Sequence, residues 1–225
     1  MSEHLWELLL DSFWKILLPG LTMTIPLTVI SFTFALIIAV ITALIQYAHV
    51  KILKDIARFY IWVVRGTPIL VQLYVVFYGL PKLGIMINPF PAAVLVFSFN
   101  EGAYAAETMR ASLESVSIGQ IEAGYCVGMN WMQIMFRIVL QKAFRTDFPP
   151  ISNSLIAMVK ETSLAANITV TEMFMATQRI VARTYEPLAL YIEVALIYLL
   201  ICTVLTKLQH YGEKKLNIST DTLRR

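Results

Sequence analysis

Charge is what this sequence has least of. Only 15% of its 225 residues are Asp, Glu, Lys or Arg, where a soluble domain carries about a quarter. So few charges cannot coat a globule in which 58% of residues are hydrophobic. Lipid must therefore solvate much of the surface. Cysteine is nearly absent as well. Cys126 and Cys202 cannot build a disulfide framework, and neither has a metal-ligand neighbour at a familiar spacing. His4, His49 and His210 stand near segment ends and read as interfacial or solvated, so no metal site is expected. A net charge of only +3 gives no sign of a nucleic-acid partner. The stretch Met1 to Asp11 carries Glu3, Glu7 and Asp11, the wrong sign for a signal-peptide n-region, so none is expected to be cleaved. There is no Gly-x-x-x-x-Gly-Lys-Ser/Thr, so the chain has no P-loop to cradle ATP.

What is present is a series of long apolar runs. A helix needs about 20 apolar residues to cross the hydrocarbon core. Five runs qualify, at about 21–47, 59–80, 91–109, 151–174 and 188–208. Pro19 and Pro26 punctuate the start of the first. Arg65-Gly66-Thr67-Pro68 interrupts the second. Pro149-Pro150 opens the fourth, which is the least hydrophobic. Residues 1–20 are then an N-terminal interfacial segment, 21–210 a membrane-spanning domain and 211–225 a tail.

Basic residues orient these runs. Lys51, Lys54 and Arg58 lie between the first and second. Arg110, Arg137, Lys142 and Arg145 lie between the third and fourth. Lys207, Lys214, Lys215, Arg224 and Arg225 close the chain. The other side has Lys15, Lys82, Arg179 and Arg183. The positive-inside rule predicts an outside N-terminus and a cytoplasmic C-terminus, which an odd number of spans requires. The polar stretch 110–148 is then cytoplasmic. It holds Gly119, Gly124 and Gly128 among helix formers, a pattern that predicts a short helical hairpin.

That stretch reads Gly119-Gln120-Ile121-Glu122-Ala123-Gly124, then Gly128-Met129, then Ile138-Val139-Leu140. It resembles the EAA signature of bacterial ABC-importer permeases, whose pattern is Glu-Ala-Ala, a Gly six residues after the Glu, and a later Ile-x-Leu-Pro. Here Gly124 replaces the second Ala and Gln141 the Pro, while the Glu-to-Gly spacing holds. Arg65 to Leu70, Ala103 to Arg110 and Val159 to Ala165 are similar to the polar-amino-acid branch. Ala57-Arg58-Phe59-Tyr60 and Tyr78-Gly79-Leu80-Pro81 look most like L-cystine permeases.

The resemblance implies an all-α, five-span type I importer core. It implies a second permease copy or a related permease, two ATP-binding subunits that hold ATP and Mg2+, and an extracytoplasmic solute-binding protein. It implies alternating access, a bacterial cell membrane location, and no catalysis or cofactor in this chain. Gly119, Glu122, Ala123, Gly124 and Gly128 would couple to the ATPase. Small residues let such a loop sit close in a cleft of another chain. Glu122 would sit near a helix start, where the dipole favours a carboxylate. Its plainer reading is a helix cap.

Ionisable groups inside spans are costly and suggest function. Five of the charged residues in these runs call for explanation: Arg65, Glu101, Glu107, Lys160 and Glu161. Asn100, Ala103, Tyr104 and Glu107 share a face by the i, i+3, i+4, i+7 rule, and the small Ala103 would leave room. An amino acid presents a carboxylate and an ammonium. Lys160 or Arg65 would meet the first, and Glu101, Glu107 or Glu161 the second. Thr162 and Ser163 would offer hydroxyls. The alternative is that these charges pair with one another and pin helices together, Arg65 by snorkelling and Glu107 beside Arg110. L-cystine suits several opposed charges, and arginine, glutamine, glutamate or histidine remain alternatives. An ion-coupled secondary transporter is the rival of another class. No visible internal repeat and the hairpin count against it.

Overall fold

The computed structural model describes residues 2–47 and 51–216, and those residues form helices and connecting turns with no strand among them. In chain order the α-helices are α1 (Ser2–Pro19), α2 (Ile25–Tyr47), α3 (Lys51–Arg65), α4 (Ile69–Tyr74), α5 (Pro89–Glu114), α6 (Ile118–Cys126), α7 (Trp131–Ile134), α8 (Leu140–Glu161), α9 (Met173–Thr184) and α10 (Pro187–Lys215). His49 and the side chain of His4 lie outside the described residues, as does the tail from residue 217.

Large apolar side chains cover the outside. Phe34, Ile37 and Ile41 on α2 and Leu196, Leu199 and Leu200 on α10 are exposed. A surface this apolar is stable only where lipid meets it. Leu5–Tyr47 and Pro187–Lys215 are long and apolar enough to cross a membrane, and Lys51–Arg65 with Ile69–Leu83 forms a third candidate bent by 100°. The polar residues on α5 and α8 keep those two helices out of that group, although each is long enough: 26 and 22 residues, or about 39 and 33 Å at 1.5 Å per residue.

Helices α2 and α5 form the core pair. Ala35, Ala39 and Ala43 on α2 and Ala92, Ala93, Ala103, Ala105 and Ala106 on α5 are buried. Small residues bring the two backbones close, the packing that lipid-embedded helices rely on. A Cβ at Gly102 would stand 2.9 Å from Ile38. Ser98 Oγ donates to the Ser31 carbonyl at 3.1 Å, and Ala39 packs with Ala103 further along. The two helices therefore run in the same direction, and the chain returns between them through α3 and α4. Helix α8 runs opposite to α5: Ser112 donates to Asp147 at 3.3 Å, and Glu101 faces Ser154. Helix α10 runs opposite to α8, with Gly212 against Phe148 and Cys202 beside Lys160 in one cleft. Direction thus alternates from α2 through α10.

Three expected segments fold differently. The second run is interrupted where expected, after Arg65, but its bounds differ. Its helix begins at Lys51, ends at Arg65 and resumes at Ile69. Pro68 disfavours helical backbone at the residue before it. The run then closes in a π turn, Val75–Gly79, and a 3-10 turn, Leu80–Leu83. The fourth run is not one helix. Helix α8 starts at Leu140, so Pro149-Pro150 lie inside it, and it gives way to a 3-10 segment, Thr162–Ile168. Thr169 then turns left-handed at φ 66°, and α9 starts afresh. Finally, the first 20 residues do not end in a break. A π turn, Gly20–Thr24, carries α1 into α2, and the helical stretch Leu5–Tyr47 is continuous over 43 residues. Neither Pro19 nor Pro26 stops it, because the wider π turn absorbs the disrupted hydrogen bonding.

Candidate functional site

The hairpin is built from α6, α7 and the first turns of α8. Helix α6 ends in a Schellman closure: Met129 N–H donates to the Gly124 carbonyl at 3.0 Å and Gly128 N–H to Tyr125 at 2.9 Å. Gly128 sits at φ +81°, a conformation that glycine adopts without steric cost. Asn130 and Gln133 then cap α7 reciprocally, each bond 2.9 Å. A Cβ at Gly124 would fall 2.9 Å from Ile134, so this glycine lets the two arms touch. Because Gln141 stands where a proline would end the arm, the chain runs on through a π turn, Met135–Val139, into α8. Ala123, Gly124, Arg137, Lys142 and Arg145 border a cleft of about 530 Å³. Gly119 has open space around it.

Glu122 does not cap α6. Ser117 is the N-cap residue and no acidic residue lies in the first turn. Glu122 is exposed and bonds to no other described side chain. The capping explanation fails, and the carboxylate is presented outward.

The in-span charges separate into two groups. In the first, Glu107 is gripped by Arg110 at 3.1 Å and approached by Arg65 at 3.7 Å, while Arg110 also holds Glu114 at 2.6 Å. The Arg65 guanidinium lies 5.1 Å over the Tyr104 ring, a cation–π contact. These charges pair with one another. Ala103 leaves no room on this face: it is fully buried against Ala39 and Ile61.

The second group is unpaired. Glu101 is 9% exposed, and its Oε1 has no hydrogen-bond partner among the described residues. Glu161 comes toward it from α8. Lys160 points the other way, into a cleft of about 690 Å³ lined also by Ser163, Phe174, Tyr191, Tyr198 and Cys202. Among the described residues no carboxylate lies within 4.0 Å of it. The alternative, in which Lys160 pairs with Glu101 or Glu107, is therefore absent among the described residues. The expected hydroxyl donors are spent. Thr162 is fully buried and donates to the Val159 carbonyl at 2.7 Å, and Ser163 donates to the Lys160 carbonyl at 2.7 Å. Where a helix tightens into 3-10 geometry, nearby hydroxyls satisfy the backbone first. No group of three or more His, Cys, Asp or Glu among the described residues could hold a metal ion.

Two important residues escape a reading of charges. Gln72 repairs the break between α3 and α4. Its Nε2 donates to the Val64 carbonyl at 2.8 Å and to the Thr67 carbonyl at 3.1 Å, and its Oε1 accepts from Asn100 at 3.2 Å. In lipid a broken helix must have its free carbonyls satisfied internally. A glutamine one turn beyond Arg-Gly-Thr-Pro was the available signal. Glu172 is the second. Fully buried, it accepts from the N–H groups of Phe174 and Met175 at 2.8 and 2.7 Å, and from the Tyr198 hydroxyl at 3.0 Å. It caps α9 and ties it to α10. Drawing 151–174 as one helix hid that role.

An all-helical membrane body with a capped, small-residue hairpin at one end and unpaired charges between its helices is the architecture of an importer's membrane subunit. Residues 35–218 match the model of the binding-protein-dependent transport system inner membrane component family, and the chain belongs to that family. It is a multi-pass permease of the bacterial inner membrane, of the ABC-importer class. The membership removes the ion-coupled secondary transporter.

Among individual proteins, the chain is similar to the L-cystine transport system permease protein TcyB of Bacillus subtilis. The two are 47% identical, over 94% of this chain and 91% of that one. It is 34% identical to the nopaline permease protein NocM of Agrobacterium fabrum over 94% of this chain and 91% of that one. A crystal structure of an amino acid ABC transporter with histidines superposes with a TM-score of 0.86 at 31% identity, covering 92% of this chain and 96% of that one. The inward-facing methionine transporter MetNI shares the fold, with a TM-score of 0.68 at 17% identity.

Proposed function

We propose that this chain is the permease subunit of an amino-acid importer and that its substrate is L-cystine. The observation that carries the substrate is the 47% identity to an L-cystine permease along nearly the whole chain. The test is uptake of labelled cystine by cells carrying the complete transporter, with arginine, glutamine, glutamate and histidine as competitors. Strong competition by one of these and none by unlabelled cystine would replace cystine with that amino acid.

The chain crosses the bilayer five times, as α2, the bent pair α3–α4, α5, α8 and α10, and α10 ends in the cytoplasm. The alternating helix directions and the basic residues gathered at one end support this arrangement. The stretch Leu5–Tyr47 is about 65 Å long, more than one crossing needs, so residues 1–20 lie at the outer interface.

The working assembly pairs this chain with a second permease, two ATP-binding subunits and a solute-binding protein. ATP and Mg2+ are held by the ATP-binding subunits, since this chain has no P-loop. Closure of those subunits pushes on the hairpin at Glu122, Ala123 and Gly124. Because α7 runs into α8 without a proline stop, the push reaches Lys160 and Glu161 along one helix. Lys160 meets a substrate carboxylate in its cleft, and Glu101 with Glu161, on the opposite side of α8, meets an ammonium at a separate stage of transport.

A further inference from the structure

The pocket between α2, α3 and α5 is used by none of this. We propose that it binds the phosphate of an anionic phospholipid, whose acyl chains lie along the outer face of α3. The pocket measures about 340 Å³ and is lined by Gln46, Lys54, Arg58, Trp62, Arg110 and two glutamates. Those glutamates are already engaged: Arg110 holds Glu107 and Glu114, and Arg65 adds to Glu107. Lys54 and Arg58 have no carboxylate within 4.0 Å among the described residues. Four cations thus surround two carboxylates, and counting Asp55 on the same helix still leaves an excess of positive charge. Gln46 is 5% exposed and lies beside Glu107 at the pocket wall. Lys54 and Arg58, two cations with no carboxylate partner among the described residues, suit a phosphate.

The same helix supplies the rest of a lipid site. Lys51, Lys54 and Arg58 recur at i, i+3 and i+7, so they line one stripe. Ile52, Ile56, Phe59 and Val63 recur at i, i+4, i+7 and i+11 and are exposed. The rings of Phe59 and Trp62 stand 6.0 Å apart, and Trp62 lines the pocket. A free phosphate would fill the pocket and leave that stripe unexplained. A phospholipid fits both, and basic pockets between membrane helices attract anionic headgroups.

Trp62 reports occupancy directly. The protein is reconstituted in phosphatidylcholine bilayers that contain a small fraction of brominated phosphatidylglycerol or brominated phosphatidylcholine, and tryptophan quenching is measured. Subtracting the Trp62→Phe signal isolates Trp62 from Trp6, Trp14 and Trp131. The brominated anionic lipid should quench Trp62 more strongly, by roughly fivefold in preference per basic side chain. Lys54→Gln with Arg58→Gln should abolish the preference. The charge-keeping pair Lys54→Arg with Arg58→Lys should retain it, as should Lys214→Gln with Lys215→Gln on α10, which do not line this pocket. Equal quenching by the two lipids, or a preference that survives the double neutralisation, overturns the proposal. So does a preference lost on adding millimolar soluble glycerol phosphate, which would make the pocket a site for free phosphate.

Discussion

The two groups of in-span charge, one closed on itself and one left open, behave as different materials. Around Glu107 every carboxylate has an arginine and the arginines are shared. Around Glu101 and Lys160 the charges lie on opposite sides of α8 and none is paired with another. The Arg65–Glu107 pair, partly exposed, joins α3 to α5. An unpaired ion in a membrane protein is tolerated when a substrate or water completes it. The first group is therefore suited to holding shape, and the second to meeting ligand.

The sharpest break of that contrast is at Lys160. Lys160→Met should abolish transport while the protein still inserts. Removing one partner of a desolvated charge pair costs about 2–5 kcal/mol, or roughly 30-fold and more. Uptake with abundance checked by blotting measures it. Adding Glu101→Gln or Glu107→Gln should not restore transport. Rescue by either would return Lys160 to the pairing role.

Gly128→Leu should come next. A left-handed leucine costs about 1–2 kcal/mol, and the hairpin would rearrange to avoid it. The expected outcome is normal abundance with reduced uptake and reduced stimulation of ATP hydrolysis. Gly119→Ala is the milder change: Gly119 lies in α6 with nothing in the chain within 4 Å of an added Cβ, so the chain should fold normally and a loss of uptake would report a contact with the partner ATPase. Normal uptake by Gly128→Leu would remove the hairpin's turn from the coupling route.

Glu107→Gln should lower stability modestly and leave substrate selectivity alone. Its side chain is partly exposed, so screening holds the loss to about 1 kcal/mol or less. A change in the competition pattern would move Glu107 into the open group.

The smallest effect concerns Asp147, on the hairpin side of α8 ahead of Pro149. Burial pushes its carboxyl up to about 6, against a favourable bond from Ser112. The folded state thus prefers the proton, and stability contributed by the neutral form is lost as pH rises from about 4 toward 6. Asp147→Asn should flatten thermal stability across that interval. An unchanged slope would show that Asp147 does not govern it.

The hairpin was the most legible part of the molecule. Gly128 announced its turn because a left-handed residue favours glycine, and Glu122 kept its spacing to that glycine. The apolar runs were legible because crossing a bilayer fixes length and composition. The broken spans were only half legible. Pro68 marked the first break, but Gln72 reaches back to Val64 and Thr67 through space. No proline marks the change at Thr162, where the packing of α8, α9 and α10 sets the backbone.

The sequence by itself determined that this chain lives in lipid, which end gathers positive charge, and where its hairpin turn lies. Each follows from composition or local backbone preference. Only the tertiary structure decided which charges are paired. Neighbouring residues on α8 differ in direction by about 100°. That one rotation aims Glu161 at Glu101 and Lys160 at the cleft beside Cys202. Which helix waits on each side is a matter of packing, and no local pattern along the chain records it.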